Sequence, residues 1–266
     1  MFEVAAFELR RRRRGVVVVS VLVAATVGLL LGTYPSLEAA DVDWDEILES
    51  FPEELRTAFV GNVDDLSTVE GYMVSQFYQL IWLAMIGAYV AYSAASAIAG
   101  EVEGRSIDVV LTRPLTRTRF VVEKFLALTV GVVVLDVATW LAVLLGVGLL
   151  GESIDTTDLA LMHVVGGLYL LVCAAIGLLA SVVVDRPRRA QGIGLGVVFG
   201  GYLLDTLTLD TDFEWVGAFA PSRYIDPGDL LTRGEIDPVG VAVLVVGVCL
   251  LVIVAAELFE RRDVPG

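Results

Sequence analysis

Six stretches of this chain run for roughly 18 residues or more with almost no charge, and at a rise of about 1.5 Å per residue each can cross a hydrocarbon core about 30 Å thick. They lie at approximately 15–33, 74–99, 125–150, 159–184, 192–209 and 239–256. Inside a bilayer the backbone must satisfy its own hydrogen bonds, and runs of this length do so as helices. The fold class predicted is therefore all-α: a polytopic integral membrane protein with six transmembrane helices, spanning residues 1–266 as one membrane domain. With 56% hydrophobic residues and a mean hydropathy of +0.77, the composition agrees. The first run follows Arg10 to Arg14, as a signal peptide would, but no small-x-small cleavage site is followed by a plausible soluble domain, so it reads as a retained span.

Charge sets the expected orientation. Lys and Arg in short loops stay preferentially on the cytoplasmic side. With the N-terminus inside, the inner segments hold Arg10 to Arg14, then Arg105, Arg113, Arg117, Arg119 and Lys124, then Arg186, Arg188 and Arg189, then Arg261 and Arg262, which makes 15 of the 18 basic residues. Only Arg56, Arg223 and Arg233 fall outside, beside most of the acids. Both termini are thus expected in the cytoplasm of a cell-membrane protein.

The same charges exclude several function classes. Asp and Glu total 33 against 18 basic residues, a net charge of −15 that makes nucleic acid a poor partner. An acid-rich surface with a single lysine resembles proteins from high-salt environments, pointing to a haloarchaeal source, although GC-biased codon usage produces a similar bias. No phosphate-loop pattern precedes Lys124, one histidine and two cysteines make no zinc site, and no nucleophile elbow is present, so neither catalysis nor a cofactor is expected in this chain. Cys173 and Cys249 fall within spans, where they act as small apolar residues.

Within the spans Asp136 is the one candidate functional charge, since a carboxylate in lipid must pair or meet water. It could line a translocation path, or bond a neighbouring helix through Thr139 or a tyrosine. No basic partner within the membrane is evident for it. His163 and Asp205 sit near outer span ends and read as solvated at the interface. In "GIGLGVVFGGY", Gly196 and Gly200 form a small-xxx-small pair that suits close packing against a helix of the same chain or of a second copy. The aromatics Tyr72, Phe77, Tyr78, Trp82, Tyr89 and Tyr92 read mostly as lipid belt or packing.

The outer segment 34–72 carries eleven acids against one arginine, with Trp44, Leu48, Phe51, Leu55 and Phe59 at helical spacing, which predicts short amphipathic helices broken at Pro52. The outer segment 210–238 mixes acids, aromatics and turn residues as an interfacial cap would. The inner loop 100–124, "GEVEGRSIDVVLTRPLTRTRFVVEK", is patterned too: Ile107, Val110 and Leu111 share one helical face, Arg105, Asp108 and Thr112 another, and Pro114 stops the helix. Its acids Glu101, Glu103 and Asp108 oppose a pure lipid anchor and favour docking on a soluble protein.

That loop resembles the cytoplasmic signature of type-2 ABC transporter permeases: an acidic pair ending span two, a Gly, a Leu-Asp-x-x-Leu-x-Arg-Pro core and a basic turn into a Lys-containing span three. Here Ile107 replaces the commoner Leu. "LESFPEELRTAFVGN" and "STVEGYMVSQFYQL" are similar to the branch that includes the copper-site assembly permease of nitrous-oxide reductase, so the likeness covers roughly residues 45–130. The resemblance implies a permease that dimerises with a second copy or paralogue and is driven by a separate ABC ATP-binding subunit holding ATP and Mg. It assigns Glu101, Glu103, Gly104, Arg105, Asp108, Leu111, Arg113, Pro114, Arg117 and Arg119 to the surface coupled to that ATPase, with Arg117, Arg119 and Lys124 fixing the start of span three. Two other classes stay open: a membrane-anchored assembly protein recruiting a partner through its acidic outer segment, and a proton-coupled secondary transporter using Asp136.

Overall fold

The computed structural model describes residues 3–38, 60, 62–63, 65–104, 116–209 and 211–262. The amphipathic helices expected between Trp44 and Phe59, and the stretch from Arg105 to Leu115 with Asp108, Leu111, Arg113 and Pro114, lie outside the described residues. Six long apolar helices form the molecule, and no strand occurs among the described residues. They are α1 (Glu3–Glu38), α2 (Val69–Glu103), α3 (Arg117–Leu150), α4 (Thr156–Val183), α5 (Pro187–Thr208) and α6 (Pro238–Arg261).

Local chemistry sets most of the boundaries. Thr116, Asp155 and Asp237 accept hydrogen bonds from the first free amides of α3, α4 and α6, which helical geometry would otherwise leave unmet. Pro187 and Pro238 open α5 and α6 at the position where a missing N–H costs nothing. Gly151, at φ 80°, ends α3 in the left-handed conformation. The 36 residues of α1 give it a length of about 54 Å, well beyond a hydrocarbon core, so Arg10 to Arg14 are part of a continuous helix.

The helices differ in depth. Two thirds (67%) of the most apolar window of α2 and of α4 is buried, against 22–28% for the other four. These two form the core, α5 packs on both, α6 packs on α4 and α3, and α1 lies along α3. Outward aliphatic residues such as Val21, Leu149, Val164 and Val246 suit a lipid surround. Glycines set the closest approach within the core: a Cβ at Gly177 of α4 would lie 2.1 Å from the Ala91 carbonyl oxygen of α2, and one at Gly194 of α5 would lie 3.1 Å from the same atom. Gly196 and Gly200 face open space instead, so the close internal contacts come from a different pair of glycines than the spacing in α5 suggested.

Helix α2 is not regular. From Val74 to Ile86 it is wound as a π-helix, a form that rarely lasts beyond a turn and often marks functional sites. The wide winding puts Phe77 and Trp82, five residues apart, within 6.0 Å ring to ring, and Phe77, Tyr78 and Trp82 are all fully buried. The tyrosine and tryptophan therefore belong to the core, not to a lipid belt. Near its other end α2 breaks between Ala94 and Ala99, where the Ser181 hydroxyl of α4 accepts from the amides of Ile98 and Ala99 at 2.8 Å each. This restarts a short helical turn that carries Glu101.

At the opposite end, short helical turns at Glu214–Phe219, Pro221–Tyr224 and Asp229–Arg233 link α5 to α6. Phe213, Trp215 and Phe219 are exposed there, where aromatic rings suit a headgroup layer.

Candidate functional site

Charged residues converge at the end of the bundle where α1 begins, α2 finishes and α3 starts. Lys124 of α3 is completely buried. Its Nζ donates to Glu8 Oε2 of α1 at 2.7 Å and to the Glu101 carboxylate of α2, and it lies 5.4 Å from the centre of the Phe120 ring. Arg11 adds contacts of 3.3 Å to Glu8 and 3.8 Å to Glu101. Arg12 pairs with Glu8 and donates through Nη1 to the Ser93 carbonyl and hydroxyl of α2 at 2.9 and 3.0 Å. Glu123 accepts from the Val4 amide at 3.1 Å and from Arg119 Nε at 2.9 Å, placing a carboxylate at the positive end of the α1 dipole. One lysine thus joins three helices in an alternation of signs. Burying charges this deeply costs several kcal/mol of hydration per ion, so the arrangement persists because each ion has close partners.

The residues expected at a coupling surface divide here. Glu101 is only 5% exposed and faces Lys124, so a direct contact between its carboxylate and a soluble protein would first have to break this ion pair. Glu103 and Gly104 are exposed at the end of α2. Arg117 donates to the Glu260 carbonyl at 3.4 Å and to the Arg262 carbonyl, tying α3 to the end of α6. Arg262 in turn reaches the Val182 carbonyl and Asp185, so the ends of α3, α4 and α6 are fastened together.

A second polar group crosses the apolar interior. Asp136 Oδ1 of α3 lies 2.9 Å from His163 Nδ1 of α4, and His163 Nε2 lies 3.0 Å from the Tyr78 hydroxyl of α2. With Nδ1 carrying the proton, the ring donates to the carboxylate and accepts from the phenol. His163 is 4% exposed, not solvated at an interface, and it supplies the intramembrane partner that the sequence did not reveal for Asp136. Thr139 donates to the Leu135 carbonyl of its own helix, so the interhelical bond runs through the histidine. Trp82 stacks edge-on to His163 at 5.5 Å, and its indole N–H has no partner among the described residues. Glycine makes the room: a Cβ at Gly167 would come within 3.3 Å of Asp136 Oδ2, and one at Gly166 within 2.9 Å of Trp82 Nε1. A carboxylate, an imidazole and a phenol in series can bind a polar group or relay a proton, and they also hold three helices in register.

At the opposite end Asp205 is also buried rather than solvated: Ser222 donates to Oδ2 at 3.0 Å and Arg223 approaches Oδ1 at 3.5 Å. Beside it lies a cavity of about 140 Å³ edged by Gln79, Tyr202 and Asp226. The Asp226 carboxyl is held above its ordinary value, first by burial. Among the described residues no cluster of His, Cys, Asp and Glu is suited to a metal ion.

No curated protein matches this chain. Residues 4–211, from the turn of α1 that carries Glu8 to just past the end of α5, match the family described as ABC-2 family transporter protein. That stretch holds five of the six long helices, Lys124 with both its carboxylates, and the Asp136–His163–Tyr78 series. The chain belongs to the ABC-2 transporter family, as a membrane permease component.

Proposed function

We propose that this chain is the membrane-spanning permease of an ATP-driven transporter, and that a separate ATP-binding subunit holding ATP and Mg docks on the loop between α2 and α3. The observation that carries this is the Lys124 junction: the end of α2 and the start of α3, between which the loop runs, are fastened through it to each other and to α1. A push on the loop would be delivered to three spans together. In this reading Glu103 and Gly104 belong to the docking surface and Glu101 passes the motion inward. No catalytic role falls to this chain. The collection of arginines at one end of the bundle supports cytoplasmic termini in the cell membrane. Outward-facing Gly196 and Gly200, with open space before them, support a second permease copy against α5. Similarity to the copper-assembly branch supports a place beside those permeases.

The test is copurification with an ATP-binding protein and measurement of its ATP hydrolysis. Charge reversal at Glu103 or Arg105 should abolish stimulation of the ATPase while membrane insertion persists. Unchanged association and stimulation in both variants would remove the loop as the docking site.

The Asp136–His163–Tyr78 series favours one second reading, proton-coupled transport. It predicts uptake or efflux in ATP-depleted vesicles that Asp136→Asn abolishes, whereas an ATP-driven permease is silent there.

A further inference from the structure

A cavity of about 440 Å³ opens between α1, α2 and α3. One end is formed by Arg10, Arg11, Arg12 and Arg13, while along the rest the lining is almost wholly aliphatic, including Val16, Val19, Leu128 and Leu135. From Arg10 to Val19 it follows α1 for about 14 Å. The arginines are not equivalent. Arg11 and Arg12 answer Glu8 and Glu101, but among the described residues Arg10 and Arg13 meet no carboxylate, and Arg12 Nη2 is buried without a hydrogen-bond partner. The cavity thus joins unanswered positive charge to a hydrocarbon-like groove.

Charge at one end and aliphatic walls along the rest fit an amphiphilic anion better than a small soluble one, because an inorganic anion would leave the groove unfilled. Basic pockets between transmembrane helices bind anionic headgroups in this manner. The neighbouring residues Val17, Val130 and Val134 are exposed on the outside of the bundle, so the occupant can enter sideways from the bilayer. We propose that this cavity holds an anionic membrane lipid, its headgroup against Arg10, Arg12 and Arg13 and an acyl chain along α1. Because Arg12 also bonds Glu8 and Ser93, the bound lipid would brace the charged junction at Lys124.

The purified full-length protein, mixed with phosphatidylglycerol or phosphatidylcholine of matched chains, is assayed for retained lipid by native mass spectrometry. Phosphatidylglycerol should be retained roughly twenty-five-fold more strongly, at about fivefold each for Arg10 and Arg13, Arg12 being already paired with Glu8. The double variant Arg10→Gln with Arg13→Gln should lose that preference and still retain either lipid weakly. Gly15→Leu should lose both lipids: Gly15 lines the cavity, and a Cβ there meets nothing within 4 Å, so the leucine fills the groove without displacing a neighbour. Persistence of the preference in the double variant, undiminished retention in Gly15→Leu, or full displacement of phosphatidylglycerol by millimolar inorganic phosphate would each overturn the proposal, the last assigning the site to a soluble anion.

Discussion

The junction around Lys124 and the series centred on His163 place polar groups in the same apolar bundle by opposite means. At the junction five charged groups of alternating sign meet beside the ends of three helices, and of the five Arg11 alone is exposed. Deeper in, a single carboxylate is answered by an imidazole and a phenol, with glycines opening just enough space. The first arrangement depends on every ion keeping its partner; the second depends on geometry and on few charges. The contrast is one of construction: the first fastens three helix ends through shared ions, and the second holds three helices in register through one imidazole.

The comparison breaks most sharply at Lys124. Replacing it by Met should destabilise the protein by roughly 3–5 kcal/mol, because Glu8 and Glu101 lose the buried cation they share and keep the more exposed Arg11 and, for Glu8, Arg12, read as a large fall in apparent Tm in detergent. Adding Glu101→Gln to that variant should recover part of the loss, since Glu101 is the carboxylate that loses its nearest described cation whereas Glu8 still pairs with Arg11 and Arg12; no recovery would mean that the packing of the lysine stem dominates. His163→Phe should cost less, about 1–3 kcal/mol, by stranding Asp136 and the Tyr78 hydroxyl, and Asp136→Asn in the same background should then be nearly neutral. Tyr78→Phe, which removes one neutral bond, should cost about 0.5–1.5 kcal/mol. The smallest effect is expected at Asp155, an exposed cap on α4 that belongs to neither cluster. The amides of Asp158 and Thr157 hold its carboxyl below the ordinary 3.8. Its contribution is therefore complete above pH 3.8 and is lost as pH falls through the lowered value, so an Asp155→Asn variant should match the parent in acid and differ slightly from it at neutral pH.

What the sequence made legible was the apolar run of each span. Length and hydropathy marked six helices, while the caps and prolines that set their ends, Thr116, Asp155, Asp237, Pro187 and Pro238, came from the structure. The partners of Asp136 and Lys124 were hidden because they come from other helices: His163 is 27 residues from Asp136, and Glu8 is 116 from Lys124. Gly196 and Gly200 have the spacing of a packing motif, yet Gly177 and Gly194 make the contact, since spacing defines a face without saying which way it points. The π-winding of α2 has no signature in the sequence, because it changes only which backbone carbonyl each amide of an apolar run reaches. The resemblance at residues 100–124 assigned Glu101 to a docking surface, and the structure places that carboxylate against Lys124 at 5% exposure.

The wide winding of α2 has a mechanical meaning. Thirteen residues wound at i to i+5 hold slack that an ordinary helix lacks, because each such turn carries a residue in excess. Passing one residue of that slack along the helix would turn the stretch it crosses by about 100° without lengthening a loop or opening a helix end. Its far end is clamped at Glu101, so the rotation would fall on the stretch that carries Tyr78 and Trp82. The central helix is in that sense a screw with play in its thread, fixed at its Glu101 end and wound with excess where Tyr78 meets His163.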